Sequence, residues 1–258
     1  VLTAYFDESY NQHTPKNSSD PLTYTVGCWV SEFGQWKKFH RKWRSALGSA
    51  DIEWFHMSEY ESRLNDYEYW PDLKRIGVLK RLHRIIKDHA IQGVTVSVNC
   101  ADFDEIIRDT VWSRTFGKSY YGFDVRMILK FIAEWADEQN IHDPIHYVFA
   151  ELKGQGNELD NIFRTCLKNR PIKEWMRLTG MWTKGLMRDV TQLQAADIVA
   201  YELNKRTVNE ISGGKRFVRQ SLENLAAGIY ENRLAPLYFG RKELLHLIEV
   251  TRDGKPRA

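Results

Sequence analysis

Runs of β-branched and aromatic residues occur in four places along the chain, at 2–8, 22–30, 91–99 and 144–151, and each reads as a β-strand. Between them the apolar spacing changes to that of a helix. QWKKFHRKWRSAL repeats Trp36, Phe39 and Trp43, and DLKRIGVLKRLHRIIKDH repeats Ile76, Leu79, Leu82 and Ile86. Further helices are expected over 102–109, 120–138, 158–167, 191–205 and 215–232. Strands interleaved with helices predict an α/β fold, a sheet covered by helices. NQHTPKNSSDP, polar with two prolines, reads as a long hairpin loop or mobile flap between the first two strands. ISGGK near residue 213 reads as a short joint, and there is no internal repeat.

Composition narrows the class without naming a function. A chain of 258 residues with 43% hydrophobic and 28% charged residues can bury one substantial core, so a single domain over 1–258 is expected. The 37 Lys and Arg against 34 Asp and Glu permit a polyanionic partner without demanding one. Cys28, Cys100 and Cys166 are an odd count with no C-x-x-C pair, which argues against a disulfide framework or zinc ribbon. No run approaches the roughly 18 to 20 apolar residues of a membrane span. The expectation is a cytoplasmic protein with no membrane partner. Rossmann and P-loop readings lack their glycine motifs.

Acidic residues supply the candidate chemistry. Asp7 shares a strand side with Thr3 and Tyr5 and stands at the strand's carboxyl end, where open α/β sheets bind ligands. A polar strand end entering a loop is the plainer account. In VTQLQAADIVAYELNKR the apolar helix face is Leu193, Ala196, Ala200 and Leu203, with Gln194, Asp197 and Tyr201 as a stripe along its border. Asp197 there either meets a cation or tips toward water. Glu151 ends a third element, on the strand side of Ile145, Tyr147 and Phe149, and IEWFHMSEYES adds Glu53, His56 and Glu59. Converging carboxylates are the ligands that hard Mg²⁺ or Mn²⁺ needs, and such ions activate phosphodiester hydrolysis.

Four stretches in order, YFDES, FHMSEYESRLNDYEYWPDLKR, VFAELKGQGNEL, and LQAADIVAYEL with RQSLENL behind it, closely resemble the domain of unknown function 3800 family over about residues 3–225. The resemblance implies a ribonuclease H-like mixed β-sheet flanked by helices, with a C-terminal helical extension over 226–258. It makes Asp7 the first-strand metal ligand and Asp197 the late-helix ligand, with Ser9, Gln194 and Tyr201 as their supports. His56 and Glu59 match the family's F-H-M-x-D element, with Glu where Asp is commoner. Two departures stand out. Tyr10 replaces the usual Gly after Ser9, and Ala150 stands where the family has its acid, which falls one residue later at Glu151. That shift points Glu151 to the opposite side of the strand and leaves Glu8 or Glu158 as substitute ligands.

Charge gathers on two helices. KKFHRKWR, with Lys37 and Arg41, carries five basic residues and no acid. KRIGVLKRLHRIIK carries six, with Lys74, Lys80, Arg81, Arg84 and Lys87 away from Leu79 and Leu82. Such stripes follow a nucleic-acid backbone or are simply solvated faces. The leading expectation is a Mg²⁺- or Mn²⁺-dependent nuclease or phosphodiester-transfer enzyme, with Asp7, Asp197 and Glu151 on metal and His56 or Glu59 positioning water or leaving group. The alternative is an inactive nucleic-acid-binding or protein-interaction module on the same fold. A phosphatase of small esters ranks last, because Asp7 lacks the D-x-D arrangement.

Overall fold

The computed structural model describes residues 1–10, 23–151, 156–213 and 233–252. A six-stranded mixed sheet runs in the order β5-β4-β1-β2-β3-β6. Its strands are β1 (Leu2–Tyr10), β2 (Thr23–Glu32), β3 (Gln92–Asn99), β4 (Ile145–Ala150), β5 (Thr183–Gly185) and β6 (Leu234–Phe239). β2 is antiparallel to both its neighbours, and the other pairings are parallel. The helices are α1 (Phe33–Ala50), α2 (Met57–Ser62), α3 (Asp72–His89), α4 (Cys100–Phe103), α5 (Ser113–Phe116), α6 (Tyr120–Glu138), α7 (Gly156–Lys168), α8 (Arg170–Trp175), α9 (Thr191–Ile211) and α10 (Arg241–Arg252). The expected α/β architecture is present. Among the described residues no helix is long and apolar enough to cross a membrane. The expected flap at 11–21, the helix at 215–232 and RQSLENL lie outside the described residues.

Two strands depart from the expectation. β5 has three residues, too few to carry a period. The segment after residue 225 is not purely helical, because β6 precedes α10 and extends the sheet beside β3. Its Pro236 interrupts the strand signal, and an edge position tolerates the missing N–H.

Strand alternation sends side chains into two cores. Leu2, Ala4 and Phe6 join Val26, Cys28, Val94, Val96, Ile145, Tyr147 and Phe149 under α6 and α7. On the other face Trp29 packs with Trp36, Phe39 and Trp43 of α1, the buried stripe of α3 and the first turns of α9. The aromatic row of α1 is therefore core. Each indole finds an acceptor, as buried ones must: Trp29 Nε1 donates to Ala195 O at 3.0 Å, Trp36 Nε1 to Thr3 O at 2.9 Å and Trp43 Nε1 to Gln194 Oε1 at 2.7 Å. On α3 the buried stripe begins at Leu79, and the expected core residue Ile76 stays exposed.

α9 is not the amphipathic helix its wheel suggests. Every residue from Thr191 to Ala200 is buried, because the helix lies between the sheet and α1 and α2. Gly27 of β2 permits this close seat: a Cβ there would stand 2.8 Å from both Ala200 N and Val199 Cγ1. Gly27 is also the residue paired with Asp7 across the sheet. The glycine thus brings the helix backbone down beside the first-strand acid.

Gly27→Ala is expected to destabilise the fold by about 1–3 kcal/mol through overpacking against a backbone atom. Gly48→Ala, which meets nothing within 4 Å in α1, is the control and is expected to be neutral or to stabilise by about 0.5–1 kcal/mol. Urea unfolding of both variants checks the contrast.

Candidate functional site

The carboxyl end of β1 presents Asp7 and Glu8, and α9 delivers Asp197 from 190 residues later in the chain. Asp7 is 5% exposed and Asp197 4%. Burial is the first cause holding all three carboxyls above their usual range, because removal from water penalises the charged form. Mutual repulsion follows. The charge of Asp197 raises both Asp7 and Glu8, and Glu8 further raises Asp7. Glu8 is pushed up to about 8 and Asp197 to about 6, with Asp7 raised well above an ordinary aspartate. Among the described residues no N–H or O–H donor reaches Asp7 Oδ2 or Glu8 Oε2, both buried. Hydrogen bonding between the two side chains adds to the rise at Asp7 and opposes it at Glu8.

A short loop forms the next wall. Gln194 and Asp197, one turn apart on α9, accept from successive parts of it: Phe55 N donates to Gln194 Oε1 at 3.1 Å and Met57 N to Asp197 Oδ2 at 2.6 Å. Gln194 also accepts from Trp43 and donates through Nε2 to Met187 O at 2.8 Å, so its oxygen accepts twice and its nitrogen donates once. Tyr67 closes the loop from outside, its hydroxyl accepting from His56 N and donating to Trp54 O, both at 3.3 Å. His56 is thereby held beside Asp197, and its charge lowers that carboxyl against the larger effect of burial. The imidazole stacks on Trp54 at 5.4 Å between ring centroids, and its Nδ1 lies 3.4 Å from Glu59 Oε1. Arg188 sits over Trp54, 5.0 Å from its ring.

The structure gathers Asp7, Glu8, Asp197, His56 and Glu59, with Gln194 behind them. Ser9 anchors the strand end through its carbonyl, which accepts from Asn204 Nδ2 at 3.4 Å, and Tyr201 packs on the aromatic core. Glu151 is not brought to the cluster. It is exposed and ion-paired with Lys184 of β5, while Ala150 takes the buried position on the face of Tyr5 and Leu193. The one-residue shift and strand parity account for this. Glu158 is also engaged elsewhere, accepting from Ser119 and lying 3.4 Å from Arg126. Sequence reading placed Trp43 in the core without its bond to Gln194, and missed Gly27, Trp54, Tyr67 and Arg188. Only the composition of the WFH stretch hinted at Trp54; the others act through contacts with no local signature.

Among the described residues no three His, Cys, Asp or Glu side chains are gathered closely enough to hold an ion unaided. The donors nevertheless suit a hard divalent cation. They are carboxylate oxygens, two of them buried without a donor, and Mg²⁺ is commonly held by one or two carboxylates with the remaining positions filled by water and phosphate oxygen. Asp7 and Asp197 meet that need, with Glu8 adjoining. No family model and no curated protein matches the chain.

Carboxyls raised on folding take up protons in the native state, so the stability they contribute is present at low pH and is lost as pH rises through their folded values. For Asp197 and Glu8 that loss extends to about 6 and about 8. Buried His83, pushed down to about 4 from an ordinary 6.5, acts oppositely below 6.5. In chelator the melting temperature is therefore expected to fall between pH 6.5 and 8, and Asp7→Asn to flatten the fall. A parent protein whose melting is flat across that window would contradict the clustering. Separately, Gln194→Leu strands two buried donors and one acceptor and is expected to cost about 2–4 kcal/mol in urea unfolding.

Proposed function

We propose that the chain is a Mg²⁺- or Mn²⁺-dependent nuclease, or a related phosphodiester-transfer enzyme, on a ribonuclease H-like sheet of the domain of unknown function 3800 kind. The observation that carries this reading is the meeting of Asp7 and Glu8 of a central strand with Asp197 of α9, Asp7 and Asp197 buried, and none of the three ion-paired with a lysine or arginine among the described residues. The strand order β3-β2-β1-β4-β5, with β2 antiparallel and β1 beside β4, supports the fold assignment. Asp7 and Asp197 would hold the ion and Glu8 adjoin it; the ion would polarise a phosphodiester and neutralise its developing charge. His56, its ring oriented by Trp54 and Glu59, is the group placed to move a proton to a leaving oxygen or from water. Glu151 has no part in this scheme. The free thiols of Cys28, Cys100 and Cys166 support action in a reducing compartment, the cytoplasm.

A second reading, a nucleic-acid-binding module without turnover, is favoured by one observation. Asp197 already accepts from Met57 N at the start of α2, which is a sufficient structural reason for a buried acid.

With Mn²⁺ the purified protein is expected to cut DNA or RNA, Asp7→Asn to lower the rate by at least about 100-fold, as loss of electrostatic stabilisation does, and Glu151→Gln to leave most of it. Gel analysis of labelled DNA and RNA decides. Equal cutting by Asp7→Asn overturns the assignment, and metal-independent binding without products supports the second reading.

A further inference from the structure

The basic residues of α1 and α3 do not form two independent solvated faces. Where the helices pack together, Lys38, Arg41 and Lys42 of α1 and Arg81 and Arg84 of α3 line one groove of about 800 Å³, with Gln35, Ser45, Ile85, Asp88 and His89 completing it. Five cations face one carboxylate, Asp88, and that carboxylate stands 3.8 Å from Lys42. The other four have no carboxylate partner among the described residues. The whole chain has an excess of only three positive charges, so this groove is more positive than the protein that carries it. The field is felt locally: after burial, Lys42 and Lys38 push His89 below the usual imidazole range, against the opposing effect of Asp88.

The lining also says what the groove is not. It contains no tryptophan, tyrosine or phenylalanine, because Trp36, Phe39 and Trp43 of α1 are turned into the core. A single strand bound by base stacking has no platform there. Its one aliphatic side chain, Ile85, is buried, so the lining offers no exposed hydrophobic side chain to insert into a lipid bilayer. Hydrogen-bonding cations at helical spacing fit oxygen anions repeated along a line. From Gln35 to Ser45 the α1 wall is about 15 Å long at 1.5 Å per residue, the axial length of roughly four base pairs of a duplex at about 3.4 Å each.

We infer that the groove between α1 and α3 is a second, metal-independent binding site for the phosphate backbone of double-stranded nucleic acid, read without regard to sequence. The choice of nucleic acid as occupant rests on the proposed nuclease reading; the charge and lining stand apart from it. The structure selects Arg41, Arg81 and Arg84 from the residues the sequence marked and adds Lys38 and Lys42. It leaves out Lys37, which lies over Phe33, Lys74, which lies over Trp70, and Lys80 and Lys87, which do not line the groove.

Fluorescence anisotropy with a labelled 24-base-pair duplex (~24, long enough to exceed the groove), in EDTA and across a salt series, tests it. The combined variant Arg41→Gln, Arg81→Gln, Arg84→Gln is expected to bind roughly 10- to 100-fold more weakly and to lower the salt slope by roughly three. Lys74→Gln is expected to bind as the parent does, and circular dichroism checks that both variants fold. Unchanged duplex binding by the combined variant overturns the inference, as does tighter binding to a single strand of equal length or to anionic vesicles. Cleavage with Mn²⁺ is read separately. Groove-dependent binding without cleavage removes the nuclease reading and leaves the groove, whereas cleavage with groove-independent binding does the reverse.

Discussion

Three acids kept from water at one strand end repel one another, and the rest of the fold must hold them there. Among the described residues no lysine or arginine relieves Asp7 or Glu8, and burial is the largest influence on each. Such an arrangement is costly in isolation. It persists because the elements that carry it are fixed by two aromatic-rich cores on opposite faces of the sheet, and because Gly27 lets α9 settle against β2.

The wall opposite the acids is as well determined as the acids themselves. Tyr67, Gln194 and Asp197 between them pair the carbonyl of Trp54 and the N–H groups of Phe55, His56 and Met57, along the irregular segment that leads into α2. His56 therefore has a defined place although it lies at the end of a loop. Asp197 serves twice, as an acceptor for the first N–H of α2 and as a neighbour of Asp7. Gln194 does the equivalent one turn earlier and links the loop to the tryptophans of α1.

That linkage joins the two charged regions of the molecule. α1 turns Trp43 inward to Gln194 and the acid cluster, and turns Lys38, Arg41 and Lys42 outward to the groove with α3. One helix thus shows an aromatic face to the core and a cationic face to solvent.

Much of this was legible along the chain. Periodicity marked β1 to β4, the aromatic stripe of α1 and the placement of Asp7 toward the carboxyl end of β1, although that strand runs on to Tyr10, because these depend on neighbours two to four residues away. Glu151 was expected on the metal, and the structure instead leaves it exposed beside Lys184, since one residue of shift reverses a strand's faces. β5 and β6 were not legible: one is too short for a period, and the other has its pattern broken by Pro236. The burial of Asp197 was misjudged as marginal because a wheel describes a helix with one wet side, whereas α9 is covered on all sides over its first turns. Only tertiary structure could decide that Asp7 meets Asp197, that Lys184 takes Glu151, and that Arg81 shares a groove with Arg41. Each of those pairings joins residues more than 30 positions apart, and contacts of that range are set by how whole elements pack, which no local spacing records.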